Sequence, residues 1–134
     1  MNMHTKILES IPPSVRPYFP DPAQDEKASH QAMMKKLAVT FLLWTISKKP
    51  TTGYSLIKQL ESEHPGGLAT ASRIYPFLAY MEEEGLIKAK ILKTGKRESK
   101  EYSITAKGKL LINITRKIIS HCMWGEFLRD ISKK

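Results

Sequence analysis

A single cysteine, Cys122, in 134 residues excludes an internal disulfide, and with it the small secreted scaffold that depends on cross-links. A reducing, intracellular setting fits that scarcity. Long apolar runs are missing too. The longest, 37–46, spans ten residues, whereas a membrane-spanning helix needs about twenty, so it is expected to be a core helix and not an anchor. The start, MNMHTKILESIPPSVRP, lacks the apolar segment and small-residue cleavage site of a secretory signal, which makes the cytoplasm the expected location. The histidines His4, His30, His64 and His121 have no ligand-like spacing, and Cys122 beside His121 is not a metal motif, so neither zinc nor any other cofactor is expected. Catalytic signatures are absent as well: there is no glycine-rich phosphate loop, nucleophile elbow or metal-binding helix. Glu82, Glu83 and Glu84 are consecutive, so on a helix they point around the axis instead of converging, and no enzyme is expected. Neither an internal repeat nor a low-complexity segment is present.

Negative charge is also in short supply. Lys and Arg number 22 against 13 Asp and Glu, a formal charge of +9, while the 41% hydrophobic and 26% charged content is that of an ordinary globular domain. The positive charge is unevenly placed. Residues 1–27 are net −1, whereas residues 88–109 alone carry eight basic and two acidic groups, net +6. Such a field attracts polyanions, either nucleic acid or an anionic membrane surface, although a merely solvated lysine-rich face reads the same way from charge alone. The membrane option lacks the amphipathic helix with one Lys- and Arg-rich face that it requires.

Five of the eight prolines, Pro12, Pro13, Pro17, Pro20 and Pro22, crowd into eleven residues, so 10–25 is expected to be an extended arm. A first helix is expected from about Lys27 or Ala28 to Pro50. Met33, Met34, Leu37, Phe41, Leu42, Trp44 and Ile46 nearly encircle its second half, the pattern of a helix at the centre of a small core. A turn at 50–53 leads to a second helix at about 53–62, ended by 64–67, and a third runs from Thr70, a candidate cap, to Gly85. Pro76 sits inside the third helix, where a missing donor predicts a kink or an irregular first turn. Ile87, Ala89 and Ile91 alternate with Lys88 and Lys90, and after a polar turn at 94–97, Tyr102 and Ile104 alternate with Glu101, Ser103 and Thr105. These are two strands of a hairpin with a basic tip. Residues 106–131 return to a helical pattern.

Helix, helix, helix, hairpin, helix is the order of a winged helix-turn-helix, a mainly α fold with a small β-hairpin (α+β). In that architecture the third helix presents its N-terminal half to the major groove and the hairpin is the wing. The chain divides into an arm (1–27), the winged helix-turn-helix (28–105) and a long C-terminal dimerisation helix (106–134). The most basic segment coincides with the wing.

Four stretches in order, Thr52-Gly53-Tyr54-Ser55-Leu56, Thr70-Ala71-Ser72-Arg73-Ile74-Tyr75-Pro76, Met81-Glu82-Glu83-Glu84-Gly85-Leu86-Ile87 and Tyr102-Ser103-Ile104-Thr105-Ala106-Lys107-Gly108, strongly resemble the PadR family of prokaryotic transcriptional regulators. A Tyr-Pro pair inside the recognition helix is habitual in that family. The resemblance implies a dimeric double-stranded DNA-binding protein, usually a repressor, that dimerises through its C-terminal helices and is sometimes released from DNA by a small aromatic effector. The wing departs from the family's pattern: Glu98 and Glu101 stand where proline and tyrosine are common, and Ser99 where arginine is.

DNA contact is accordingly expected from Thr70, Ser72, Arg73 and Tyr75 on the third helix and from Lys93, Lys96, Arg97 and Lys100 on the wing. Arginine suits the two acceptors of guanine, and the wing cations suit phosphate. Thr70 and Ser72 can equally be caps, and Arg73 a solvated cation. For Tyr54, phosphate contact and core packing are both open. Trp44 reads as core, with ligand stacking as the other reading. The terminal helix has more apolar face than one domain covers, which points to a second subunit meeting Ile114, Ile118, Trp124, Phe127 and Leu128. A winged-helix module that meets an acidic protein, without specific DNA binding, is the competing function.

Overall fold

A computed structural model describes residues 9–18, 26–63, 70–121 and 123–133, together with their side chains except those of 26–35 and Trp124. The rest of the expected arm (1–8 and 19–25), the helix-ending segment 64–67 and Cys122 lie outside the described residues. The elements are α1 (Glu26–Lys48), β1 (Thr51–Thr52), α2 (Gly53–Glu63), α3 (Ala71–Glu83), β2 (Ile87–Thr94), β3 (Arg97–Ile104), α4 (Ala106–Ser120) and α5 (Met123–Ile131). This is the α+β winged helix-turn-helix order that the sequence predicts. The chain divides into two units, one within Phe41–Lys109 and one made of residues up to Thr40 together with those from Leu110 onward.

In the unit 41–109, Thr51 and Thr52, expected only as turn residues, pair with Tyr102 and Glu101 and add a third strand, giving the antiparallel order β1-β3-β2. Thr52 also caps α2, its Oγ1 accepting the Ser55 N–H at 3.1 Å. The hairpin is longer than its alternation suggests, with β2 and β3 paired from Ile87↔Ile104 to Thr94↔Arg97. Only Gly95 and Lys96 remain to turn the chain. Gly95 has φ 63° and no described non-glycine residue has positive φ, the arrangement of a type II′ turn with glycine at its first central position.

Helix α3 continues through Pro76, which is exposed along with Ser72, so water can take the Ser72 carbonyl that proline leaves without a donor. Its irregularity lies in the first turn, where the Thr70 carbonyl accepts N–H bonds from both Arg73 (3.0 Å) and Ile74 (2.9 Å). The other end closes as a Schellman motif. Gly85, at φ 76°, donates to the Glu82 carbonyl (3.0 Å), and Leu86 donates to that of Met81 (2.9 Å). Met81 and Leu86 are both fully buried, with Leu43, Ile46, Leu56, Leu78 and Ile87.

Thr105 then starts α4. Its Oγ1 accepts the Gly108 N–H (3.2 Å) while its hydroxyl donates to the Gly85 carbonyl (2.6 Å), and its own N–H donates to the Leu86 carbonyl (3.1 Å). Gly108 lies so close to the Leu86 carbonyl and the Ile104 side chain that a Cβ there would overlap both. Thus Thr-x-x-Gly at 105–108 sews the end of the hairpin to the end of α3.

Three expectations need correction. Helix α1 is not encircled by core: Val39, Leu42, Leu43 and Ile46 are buried, but Leu37, Phe41 and Trp44 are 51%, 43% and 43% exposed. Those three share one flank at i, i+4, i+7 spacing. Trp44 is therefore not a core residue; its ring lies 6.1 Å from that of Phe41, with the Lys48 ammonium 3.8 Å above it. The arm is not simply extended either. Around Pro12 the chain turns, with the Val15 and Arg16 N–H groups both on the Pro12 carbonyl, and a short 3-10 turn at Arg16–Tyr18 follows. Proline fixes φ near the helical value and so favours such turns; Ile11 and Val15, within this segment, are buried.

Finally, 106–131 is two helices. The His121 N–H reverts to an i→i+3 bond on the Ile118 carbonyl (3.3 Å) at the end of α4. Gly125 then sits against the Ile119 carbonyl where a Cβ would not fit.

Candidate nucleic-acid interface

The winged helix-turn-helix presents its polar outward groups from three elements of the 41–109 unit. On α3, Ile74, Leu78 and Met81 point inward, so Ser72, Arg73, Tyr75 and Pro76 are left exposed in the first half. Thr70 occupies the N-cap position with extended backbone but makes no side-chain cap; its hydroxyl lies 3.1 Å from that of Ser72 instead. Arg73 has no ion pair among the described residues. The Tyr75 ring lies over Gly53, where a Cβ would come within 2.6 Å of its Cε1. That contact seats the first half of α3 against the start of α2, and it requires a glycine there.

Tyr54, in the first turn of α2, is 66% exposed, with Lys58 5.6 Å from its ring centroid. Core packing is thereby excluded for this residue. Tyr54 belongs to the first turn of α2, and at such an N-terminus backbone N–H groups and the helix dipole favour anions.

On the wing, Lys93, Lys96, Arg97 and Lys100 are all exposed, but their surroundings differ. Lys93 Nζ is 3.7 Å from Glu98 Oε1, and Lys100 Nζ is 3.3 Å from Glu82 Oε1 on α3. Lys96 and Arg97, at the tip, make no ion pair among the described residues. The Lys93–Glu98 pair follows from the hairpin register, in which the two are directly opposite. Glu82–Lys100 joins residues 18 apart in different elements, and no local sequence pattern announces it. Behind that pair, Tyr102 is 7% exposed, and burial raises its phenol pKa, with Lys100 opposing and Glu82 and Tyr75 adding to the rise.

In the other unit, Ile114 is already buried at 8% exposure, whereas Phe127 and Leu128 are 46% and 48% exposed. Ile118 is intermediate. Met123 and Ile131, not among the expected contacts, are 84% and 60% exposed on α5. No helix among the described residues is long and apolar enough to cross a membrane.

Known proteins place this arrangement in a family. Among solved structures, a PadR-like transcriptional regulator from Bacillus cereus is 27% identical, with a TM-score of 0.55 over 74% of this chain and 91% of that one. A PadR-like transcription factor from Bacteroides fragilis superposes with a TM-score of 0.61 at 17% identity, over 79% of this chain and 96% of its own. A PadR family transcription regulator from Clostridium difficile gives 0.53 at 22% identity, over 69% and 91%. No match is found among curated protein sequences. The profile of the transcriptional regulator PadR-like family matches residues 42–113, a span that contains the helix-turn-helix, the wing and the Thr-x-x-Gly junction. It covers more than half of the chain, which belongs to the PadR-like family of transcriptional regulators and not to a family of enzymes.

Proposed function

We propose that this regulator binds double-stranded DNA sequence-specifically as a homodimer in the cytoplasm and acts as a repressor. The observation that carries the reading is the exposed Ser72-Arg73-x-Tyr75 turn of α3 in the same unit as a wing tip whose Lys96 and Arg97 have no acidic partner among the described residues. Helix α3 enters the major groove by its first half, where Arg73 reaches a guanine edge or the adjacent phosphate and Tyr75 and Tyr54 donate to phosphate. Lys96 and Arg97 meet the backbone or the minor groove. The exposed apolar residues of α5 support a second subunit. With Phe127 and Leu128 buried between two copies, two α3 helices related by a two-fold axis reach successive major grooves roughly 34 Å apart. Ile118, Trp124 and Ile114 belong to the same proposed interface.

Fluorescence anisotropy of a labelled duplex, titrated with the chain across a salt series, tests the reading. Binding should weaken steeply with salt. The double substitution Lys96→Gln, Arg97→Gln should flatten the slope of log K against log salt by up to about 1.8 per subunit, since each phosphate contact carries roughly 0.9. Binding that ignores both salt and these substitutions would favour a module that meets proteins instead.

A further inference from the structure

The wing's two compensated lysines are held differently. The Lys93–Glu98 pair lies within the hairpin, with side chains 73% and 62% exposed, and water screens such a pair to little effect. Lys100 and Glu82 bridge the wing and the recognition helix at 3.3 Å, with side chains 54% and 33% exposed. The pairing is built into both elements. Lys100 and Tyr102 alternate onto one face of β3, while Tyr75 and Glu82 lie two turns apart on one flank of α3. A DNA phosphate that takes Lys100 must separate it from a carboxylate and leave that carboxylate facing a polyanion, which disfavours the exchange twice over.

We propose that Glu82 is an internal counterion for Lys100, withholding that lysine from DNA phosphate and leaving the wing's backbone contact to Lys96 and Arg97 at the tip and to the loosely paired Lys93. Glu82 thereby trims the sequence-independent part of the affinity, which every duplex shares, and leaves the groove contacts of α3 to decide where the protein stays. The proposal rests on the DNA-binding reading above.

The test is a salt series of anisotropy titrations with a mixed-sequence duplex and the 134-residue chain as wild type, E82Q, K100Q and E82Q/K100Q. Glu82→Gln should bind the duplex several-fold more tightly and steepen the slope of log K against log salt by about 0.9 per subunit, the value of one added phosphate contact. Lys100→Gln alone should leave the slope at its wild-type value, and the double variant should return to that value.

The proposal is overturned if Lys100→Gln alone flattens the slope by about 0.9, which would put Lys100 on phosphate already. It is also overturned if Glu82→Gln, folded by circular dichroism, leaves the slope unmoved, or steepens it equally with and without Lys100. Should Glu82→Gln fail to fold, the Lys100→Gln arm still decides. Wild-type protein that binds no duplex removes the DNA reading itself, before any variant is made.

Discussion

Individual residues here act mainly as fitted contacts. Gly108 is the sharpest case: with the Leu86 carbonyl and the Ile104 side chain where a Cβ would stand, Gly108→Ala should lower stability by about 1–3 kcal/mol, the usual range for overpacking. Denaturant unfolding at an unchanged m-value checks it. Gly53 has a different readout, because its neighbour is the Tyr75 ring and not backbone. Gly53→Ala should displace Tyr75 and weaken duplex binding more than it lowers the melting temperature.

Lys36 offers a pH test. Burial lowers its pKa from 10.5 to about 8, so between these values the unfolded chain holds a proton that the folded chain has released, and stability rises with pH across that window. Below pH 8 both forms are charged and the burial penalty is present in full. Lys36→Met removes this titration, so its stability relative to the unsubstituted chain should fall across about pH 8 to 10.5, and a constant difference over this window would refute the assignment.

Among the elements, those with local signals were legible in the sequence and those defined by distant partners were not. Alternation of Ile87, Ala89 and Ile91 with lysines showed β2, and Gly85 showed the end of α3, because each signal sits in the residues that form the element. Strand β1 is two threonines, too short for any alternation to show, and is defined by its pairing with β3, a fact carried by residues about 50 positions away. The break before α5 escaped the sequence reading, because Gly125's need for space against the Ile119 carbonyl appears only in three dimensions. The same division runs through the candidate site. Exposure of Ser72, Arg73 and Tyr75 follows from the helical period, whereas Glu82's claim on Lys100 and the outward face of Trp44 depend on packing. The wing's geometry can be tested at its turn: Gly95→Ala places a side chain at φ 63°, a cost of roughly 1 kcal/mol or more. The hairpin tip should then shift, with weaker DNA binding but little change in the far-ultraviolet spectrum.

For the whole molecule, the proposed function makes dimerisation through α5 a condition of tight DNA binding. Phe127→Asp with Leu128→Asp should give a monomer by sedimentation at micromolar concentration and weaken duplex binding by an order of magnitude or more, because one module loses the avidity its twin provides. An unaltered dimer would place the interface elsewhere, and the exposed Leu37, Phe41 and Trp44 flank would be the next surface to substitute. The central claim, a two-fold regulator that reads sequence with α3 and holds the backbone with the wing tip, is tested most directly by in vitro selection of random duplexes on the 134-residue chain. The account predicts enrichment of an imperfect palindrome whose half-sites are centred about one helical turn, roughly 10 base pairs, apart. A pool that shows no sequence preference after repeated rounds, or a single asymmetric site bound by one subunit, would contradict it.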